Sequence, residues 1–138
     1  MTETETAAVI LAAGKGTRMK SDLPKVLHPL AGRPMVRHLI ATLDAVRASR
    51  AVVVVGPEME VVTEAVAPLP TALQMDQKGT GDAVKAARRA LAGFAGDVLV
   101  LYGDPPLLTV ETLERMLAAR RTAPHPAVVV LGFEPEDP

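Results

Sequence analysis

Apolar and polar positions along the chain fall into short alternating blocks. Residues 7–12, A-A-V-I-L-A, are continuous, uncharged and brief, the pattern of a strand buried on both faces of a parallel sheet. Pro34 opens a predicted helix that runs to about residue 47, with Val36, Leu39, Ile40, Leu43 and Val46 on one face. Residues 52–55 give a second buried strand, ended by Gly56-Pro57, and residues 58–67 a second helix. A third strand spans 71–75. Thr80 is placed to cap a helix to about residue 91, with Asp82 in its first turn suited to the helix dipole. A fourth strand covers 98–102, Thr109 caps a helix to about residue 121, and residues 127–131 read as a fifth strand. Strand and helix alternate throughout with short connections and no internal repeat. The expected fold is therefore a three-layer α/β/α sandwich around a Rossmann-like, mostly parallel sheet.

Composition narrows this picture. The 138 residues suit one ordinary domain, and 49% hydrophobic content with two Phe, one Tyr and no Trp requires an aliphatic core. Fifteen basic and 16 acidic residues leave a net charge of −1, so nothing draws the chain toward nucleic acid or anionic membrane, and any anion site must be local. The absence of cysteine excludes disulfides, thiolate metal sites and cysteine nucleophiles, and fits a cytoplasmic setting. No apolar run is long enough to span a bilayer, and residues 1–6 read as a loose, polar tail.

The chemistry concentrates at strand ends. Residues 11–25, L-A-A-G-K-G-T-R-M-K-S-D-L-P-K, leave the first strand at its carboxyl end, where open α/β sheets bind ligands. Gly14 and Gly16 lack β-carbons, which permits positive φ and close approach of a ligand to bare N–H groups. Arg18 adds a permanently charged fork and Lys25 a compact ammonium, with Pro24 stiffening the chain before it. A dinucleotide fingerprint would need a third glycine where Met19 stands, and no Walker A loop is present. The plain alternative is a tight turn with two solvated cations. Residues 74–81, Q-M-D-Q-K-G-T-G, again join a strand to a helix start. Gln74 and Gln77 offer amide donors and acceptors suited to a pyrimidine edge, beside Gly79 and Thr80; the plain alternative is an ordinary connection with a threonine cap. In residues 99–104, L-V-L-Y-G-D, Asp104 stands just past a buried strand, where a carboxylate serves as a turn residue or as one of the few ligands magnesium requires. His28, His38 and His125 have no metal-ligand spacing and read as structural, His28 alone having some claim to support the site from behind. Lys85, Arg88 and Arg89 read as a solvated helix face.

Three blocks together, 11–30, 73–84 and 98–108, resemble the signature of sugar-nucleotide pyrophosphorylases. The match is to the amino-terminal uridylyltransferase domain of the bacterial bifunctional N-acetylglucosamine-1-phosphate uridyltransferases and glucosamine-1-phosphate acetyltransferases. The resemblance implies a nucleotide-diphospho-sugar transferase fold and a cytoplasmic enzyme. That enzyme would convert UTP and N-acetylglucosamine 1-phosphate to UDP-N-acetylglucosamine and pyrophosphate for cell-wall precursors. It assigns Arg18 and Lys25 to the triphosphate and leaving group. Leu11, Ala12, Ala13 and Gly14 would seat base and ribose, Gln74, Gly79 and Thr80 would read uracil, Tyr102 and Gly103 would neighbour the nucleotide, and Asp104 would hold Mg2+. Asp82 departs from a histidine common in the family, and Pro105 from an apolar residue. Two other readings stay open: another sugar-phosphate or cofactor nucleotidyltransferase, and a nucleotide-binding module without turnover.

The same resemblance implies that residues 1–138 are the amino-terminal part of a nucleotidyltransferase domain. The sheet would then be incomplete at the carboxyl end, and sugar contacts, a second metal ligand and the trimeric acetyltransferase β-helix would lie elsewhere. If the sheet follows the family order, a further strand would belong between the fourth and fifth strands, and their unpaired edges invite association.

Overall fold

The computed structural model describes residues 3–14, 22–104, 108–132 and 134–136. Its centre is β1 (Thr6–Leu11), in which every residue but Leu11 is buried. β1 pairs in parallel with β4 (Arg50–Val55) on one edge and with β6 (Asp97–Tyr102) on the other; β4 in turn pairs in parallel with β5 (Thr71–Leu73). The sheet order is β5-β4-β1-β6. The valine run 52–55 is entirely buried, as the sequence pattern requires of a strand covered on both faces.

Helices cover the sheet unequally. On one face Ala8, Ile10, Val53, Val55, Leu99 and Leu101 pack with the apolar stripes of α1 (Met35–Val46), α2 (Glu60–Val66) and α4 (Val110–Arg121). On the other, Val9, Val52 and Val54 meet Ala83 and Ala87 of the α3 region (Thr80–Ala86), where alanine lets helix and sheet approach closely. The three-layer α/β/α expectation holds, and all three pairings in the sheet are parallel.

Four local differences separate the structure from the sequence pattern. Residues 127–131 are not a strand. Among the described residues β6 pairs as a strand only with β1, and a groove of about 930 Å³ lies between β6 and residues 127–132. Val98, Val100, Val128 and Val130 remain exposed there, so an apolar run with no pairing partner does not join the ladder. The α3 helix ends at Ala86 because i→i−3 bonds take over, Ala87 N to Val84 O and Arg88 N to Lys85 O, and Gly93 then turns at φ +75°. A small hairpin, β2 (Pro29–Leu30) with β3 (Arg33–Pro34), goes unannounced by pattern; its turn has Ala31 and Gly32 both at positive φ.

The fourth difference is at the amino terminus, where residues 4–6 are tied down. Thr6 is buried in β1, and Glu5 O accepts from Asp97 N. Arg121 at the end of α4 donates to Thr4 O and Thr6 Oγ1, both at 3.0 Å, and to the buried Asp97 carboxylate at 2.6 Å. Arg120 stands 3.5 Å from the same carboxylate. One acid thereby joins the chain start, the base of β6 and the end of α4. Asp97→Ala strips Arg121 of its partner and is expected to cost about 2 kcal/mol in denaturant unfolding, with Asp97→Asn costing less because an acceptor remains. A loss below about 0.5 kcal/mol for the alanine variant would contradict the clamp.

Candidate functional site

Because the strands run parallel, their carboxyl ends lie along one edge of the sheet. The chain order runs from β1 to β4 and β5 on one side and returns to β6 on the other, so the connections diverge at β1 and leave a crevice. A cavity of about 550 Å³ opens there. Residues following β1, β5 and β6 all reach it, together with Lys25 and Val26 of a short 3-10 helix (Lys25–Leu27).

The floor is the end of β1. Ala12 N donates to Val54 O at 2.9 Å, which carries the β1–β4 pairing past the strand, and Leu11, Ala12, Ala13 and Gly14 line the cavity. Gly14 does not adopt positive φ, contrary to the expectation from sequence; a β-carbon there would meet nothing within 4 Å, so its value is open approach and not an unusual turn. Arg18 and Gly16 lie outside the described residues.

The first and third sequence motifs converge at one charged pair. Lys25 Nζ sits 2.8 Å from Asp104 Oδ2, with both side chains partly exposed and both lining the cavity. Pro24, at ψ 139°, directs the chain into the 3-10 helix that carries Lys25, and His28 closes the segment behind through its ring Nε2 and Leu23 O at 3.2 Å. His38 bonds Leu30 O in the same structural manner. Lys85, Arg88 and Arg89 are exposed.

Gly103, expected beside the nucleotide, is buried instead and does not line the cavity. Its N–H donates to Leu11 O at 2.9 Å, and a β-carbon would come within 2.9 Å of Val26 Cγ1. It lets β6 close against β1 and the Lys25 segment. Tyr102 does line the cavity, with its hydroxyl 3.3 Å from Thr80 Oγ1. That contact corrects the expected threonine cap: the α3 N-cap is Gly79, at φ 110° and ψ −177°, a conformation that strongly favours glycine, and Thr80 turns its hydroxyl toward Tyr102.

The 74–79 connection is fastened on both sides. Gln74 N donates to Val55 O, and its side-chain Nε2 donates to Gly79 O at 3.1 Å and to Asp82 Oδ2 at 3.0 Å. Gln77 Nε2 donates to Ala13 O at 2.7 Å, linking this loop to the first turn. Both glutamines line the cavity, yet the Gln77 amide nitrogen is committed to the backbone. Sequence reasoning offered Gln77 only as a base reader; the signal for its fastening role is Gly56, where a β-carbon would stand 2.6 Å from that nitrogen.

For a divalent ion the described lining of the cavity offers the carboxylate of Asp104, and no cluster of three acidic or histidine side chains exists among the described residues. One carboxylate, completed by phosphate oxygens and water, is a donor set that magnesium accepts. No helix among the described residues is long and apolar enough to cross a membrane.

A parallel α/β sheet with an anion-ready crevice at its switch point defines a nucleotide-binding class of fold. The chain belongs to the MobA-like NTP transferase domain family, whose model matches residues 8–136, and that makes it a nucleotidyltransferase by family. It is 69% identical over 135 residues to the bifunctional protein GlmU of Rhodospirillum rubrum, covering 98% of this chain and 30% of the relative. Against the GlmU of Paramagnetospirillum magneticum it is 62% identical over 138 residues, covering 100% and 31%. The match is to the amino-terminal part, so the chain spans less than a third of the length of these relatives. Among solved structures, Rv0371c of Mycobacterium tuberculosis superposes with TM-score 0.71 at 21% identity, over 86% of this chain and 62% of that one. A second structure of Rv0371c, in complex with manganese, gives TM-score 0.67 at 19% identity over 84% and 59%.

The carboxyl of Asp82 is held below its ordinary value of 3.8, first by the Gln74 amide and then by the Lys78 N–H; desolvation opposes them to a lesser degree, and the charges of Lys78 and Lys85 add a little more in the lowering direction. A depressed folded value contributes stability above the unfolded value, and that contribution is lost as pH falls through the folded one. Carbon-13 NMR titration of Asp82 should therefore give a midpoint under 3.8, with the loop unchanged from pH 8 to about 5. A midpoint above the ordinary value would contradict the hydrogen bonds that hold the carboxylate.

Proposed function

We propose that this chain forms the UTP side of a uridylyltransferase that joins UTP and N-acetylglucosamine 1-phosphate to give UDP-N-acetylglucosamine and pyrophosphate. Such an activity would supply cell-wall precursors in the cytoplasm. The carrying observation is that one cavity at the strand ends collects Lys25, Asp104, Gln74 and Thr80, in a chain 69% identical to a bifunctional protein GlmU. We read residues 1–138 as the amino-terminal part of the transferase domain, in line with the 30% of that relative they cover.

The chemistry asked of the residues is modest. The nucleophile is a sugar phosphate oxygen, already anionic, which attacks the α-phosphorus as the bond to pyrophosphate breaks, so no strong general base is required. The protein contributes alignment and charge neutralisation. Lys25, and Arg18 by resemblance, would hold the triphosphate and the leaving group. The backbone of residues 12–14 would seat base and ribose, with Gln74, Gly79 and Thr80 against the uracil and Tyr102 beside it. Asp104 would hold a magnesium ion, which when bound neutralises phosphate charge and eases departure of pyrophosphate.

A second reading, nucleotide binding without turnover, draws on one observation: a single carboxylate among the described residues that line the cavity. Pyrophosphate release separates the two. With magnesium, UTP and N-acetylglucosamine 1-phosphate, the proposal expects turnover that other nucleoside triphosphates do not support and that Lys25→Ala lowers about 100-fold or more in kcat/KM. Turnover indifferent to Lys25→Ala contradicts the assignment. Saturable UTP binding with no pyrophosphate favours the binding module.

A further inference from the structure

The amide of Gln74 has a determined orientation. Its Nε2 lies 3.1 Å from Gly79 O and 3.0 Å from Asp82 Oδ2. A backbone carbonyl and a carboxylate both only accept hydrogen bonds, so the amide oxygen in that position would face two acceptors, and the nitrogen alone fits. The other end of the amide, Oε1, bonds no described group. The residue is only 5% exposed, yet no buried side-chain polar atom lacks a partner, so Oε1 keeps access to solvent. Since Gln74 lines the cavity, the cavity is where that access lies.

Asp82 is itself held in place. The same Oδ2 accepts from Lys78 N at 3.3 Å, and the carboxylate sits in the first turn of α3. Its depressed pKa keeps it charged, and thus an acceptor only, throughout the neutral range. An Asp82 that could donate would leave Gly79 O alone to hold the amide nitrogen, a weaker constraint; a carboxylate adds the second acceptor.

We infer that Asp82 is a positioning residue that locks the Gln74 amide with its oxygen facing the cavity, so that the site selects a pyrimidine carrying an N–H at N3. Uracil has that donor. Cytosine presents a lone pair at the same position and meets the oxygen with repulsion. The inference rests on the uracil-reading role proposed above for Gln74 and deepens it: the preference for UTP over CTP originates in a side chain that need not touch the nucleotide.

Calorimetric titration of the chain with UTP, CTP and 3-methyl-UTP, each with magnesium, tests this. Wild type is expected to bind UTP about 30-fold more tightly than either of the others, because both lack the N3–H donor. Asp82→Ala should narrow the UTP-to-CTP ratio about tenfold, while Asp82→Asn, whose amide oxygen can still accept from Gln74 and Lys78, should stay within about threefold of wild type. An alanine variant that keeps the wild-type ratio, or an asparagine variant that loses as much as alanine, overturns the positioning role and leaves the proposed function standing. Equal wild-type affinity for UTP and 3-methyl-UTP overturns it without recourse to any variant. If wild type binds neither UTP nor CTP, the proposed function fails and the inference fails with it.

Discussion

β1 has strands on both edges and packed side chains on both faces, and this double enclosure constrains everything around it. Its six residues must be uncharged and mostly small or β-branched, so Thr6-Ala-Ala-Val-Ile-Leu11 fits where a longer or more polar segment would not. Once β4 and β6 are registered against it in parallel, the segments leaving β1 and β6 emerge side by side. Leu11 O then accepts from Gly103 N, and Lys25 and Asp104 come within 2.8 Å although 79 positions separate them in sequence. The binding crevice is a consequence of that register.

The charge arrangement follows a similar economy. The chain as a whole is near neutral, so attraction for a polyphosphate must be generated locally. Lys25 and Asp104 neutralise one another across the mouth of the cavity, both partly open to solvent. An ammonium suits a phosphate and a carboxylate suits a cation, so the pair presents complementary partners for a metal-bound triphosphate. The lining also includes neutral hydrogen-bonding groups: Gln74, Thr80 and Tyr102.

Much of this was legible in the chain because its signals are local. Buried parallel strands announce themselves as uncharged apolar runs, and the stripe Val36, Leu39, Ile40 and Leu43 faces the core at the positions the helical period requires. Lys25, Gln74, Gly79, Thr80, Tyr102 and Asp104 do share one cavity. What failed depended on partners that sequence does not reveal. Residues 127–131 have strand composition but stand across a groove from the open edge of β6 and do not pair with it, and residues 87–91 have helical composition while the backbone tightens mostly into i→i−3 turns. Gly103 was expected beside the nucleotide from the family resemblance, whereas its close approach to Val26 and Leu11 leaves it buried and out of the cavity lining. Gln77 and Asp82 act through bonds to Ala13 O and to Gln74, contacts visible only once the loops are assembled.

On the proposed function, the nucleotide binds in the crevice at the ends of β1, β5 and β6. Amide chemical-shift mapping of the isotopically labelled chain, titrated with UTP and magnesium, tests it most directly. Saturable shifts are expected to concentrate at Ala12, Gly14, Lys25, Gln74, Thr80 and Asp104. Shifts concentrated instead along Val98, Val100 and residues 127–132, or no saturable shift at all, would contradict it.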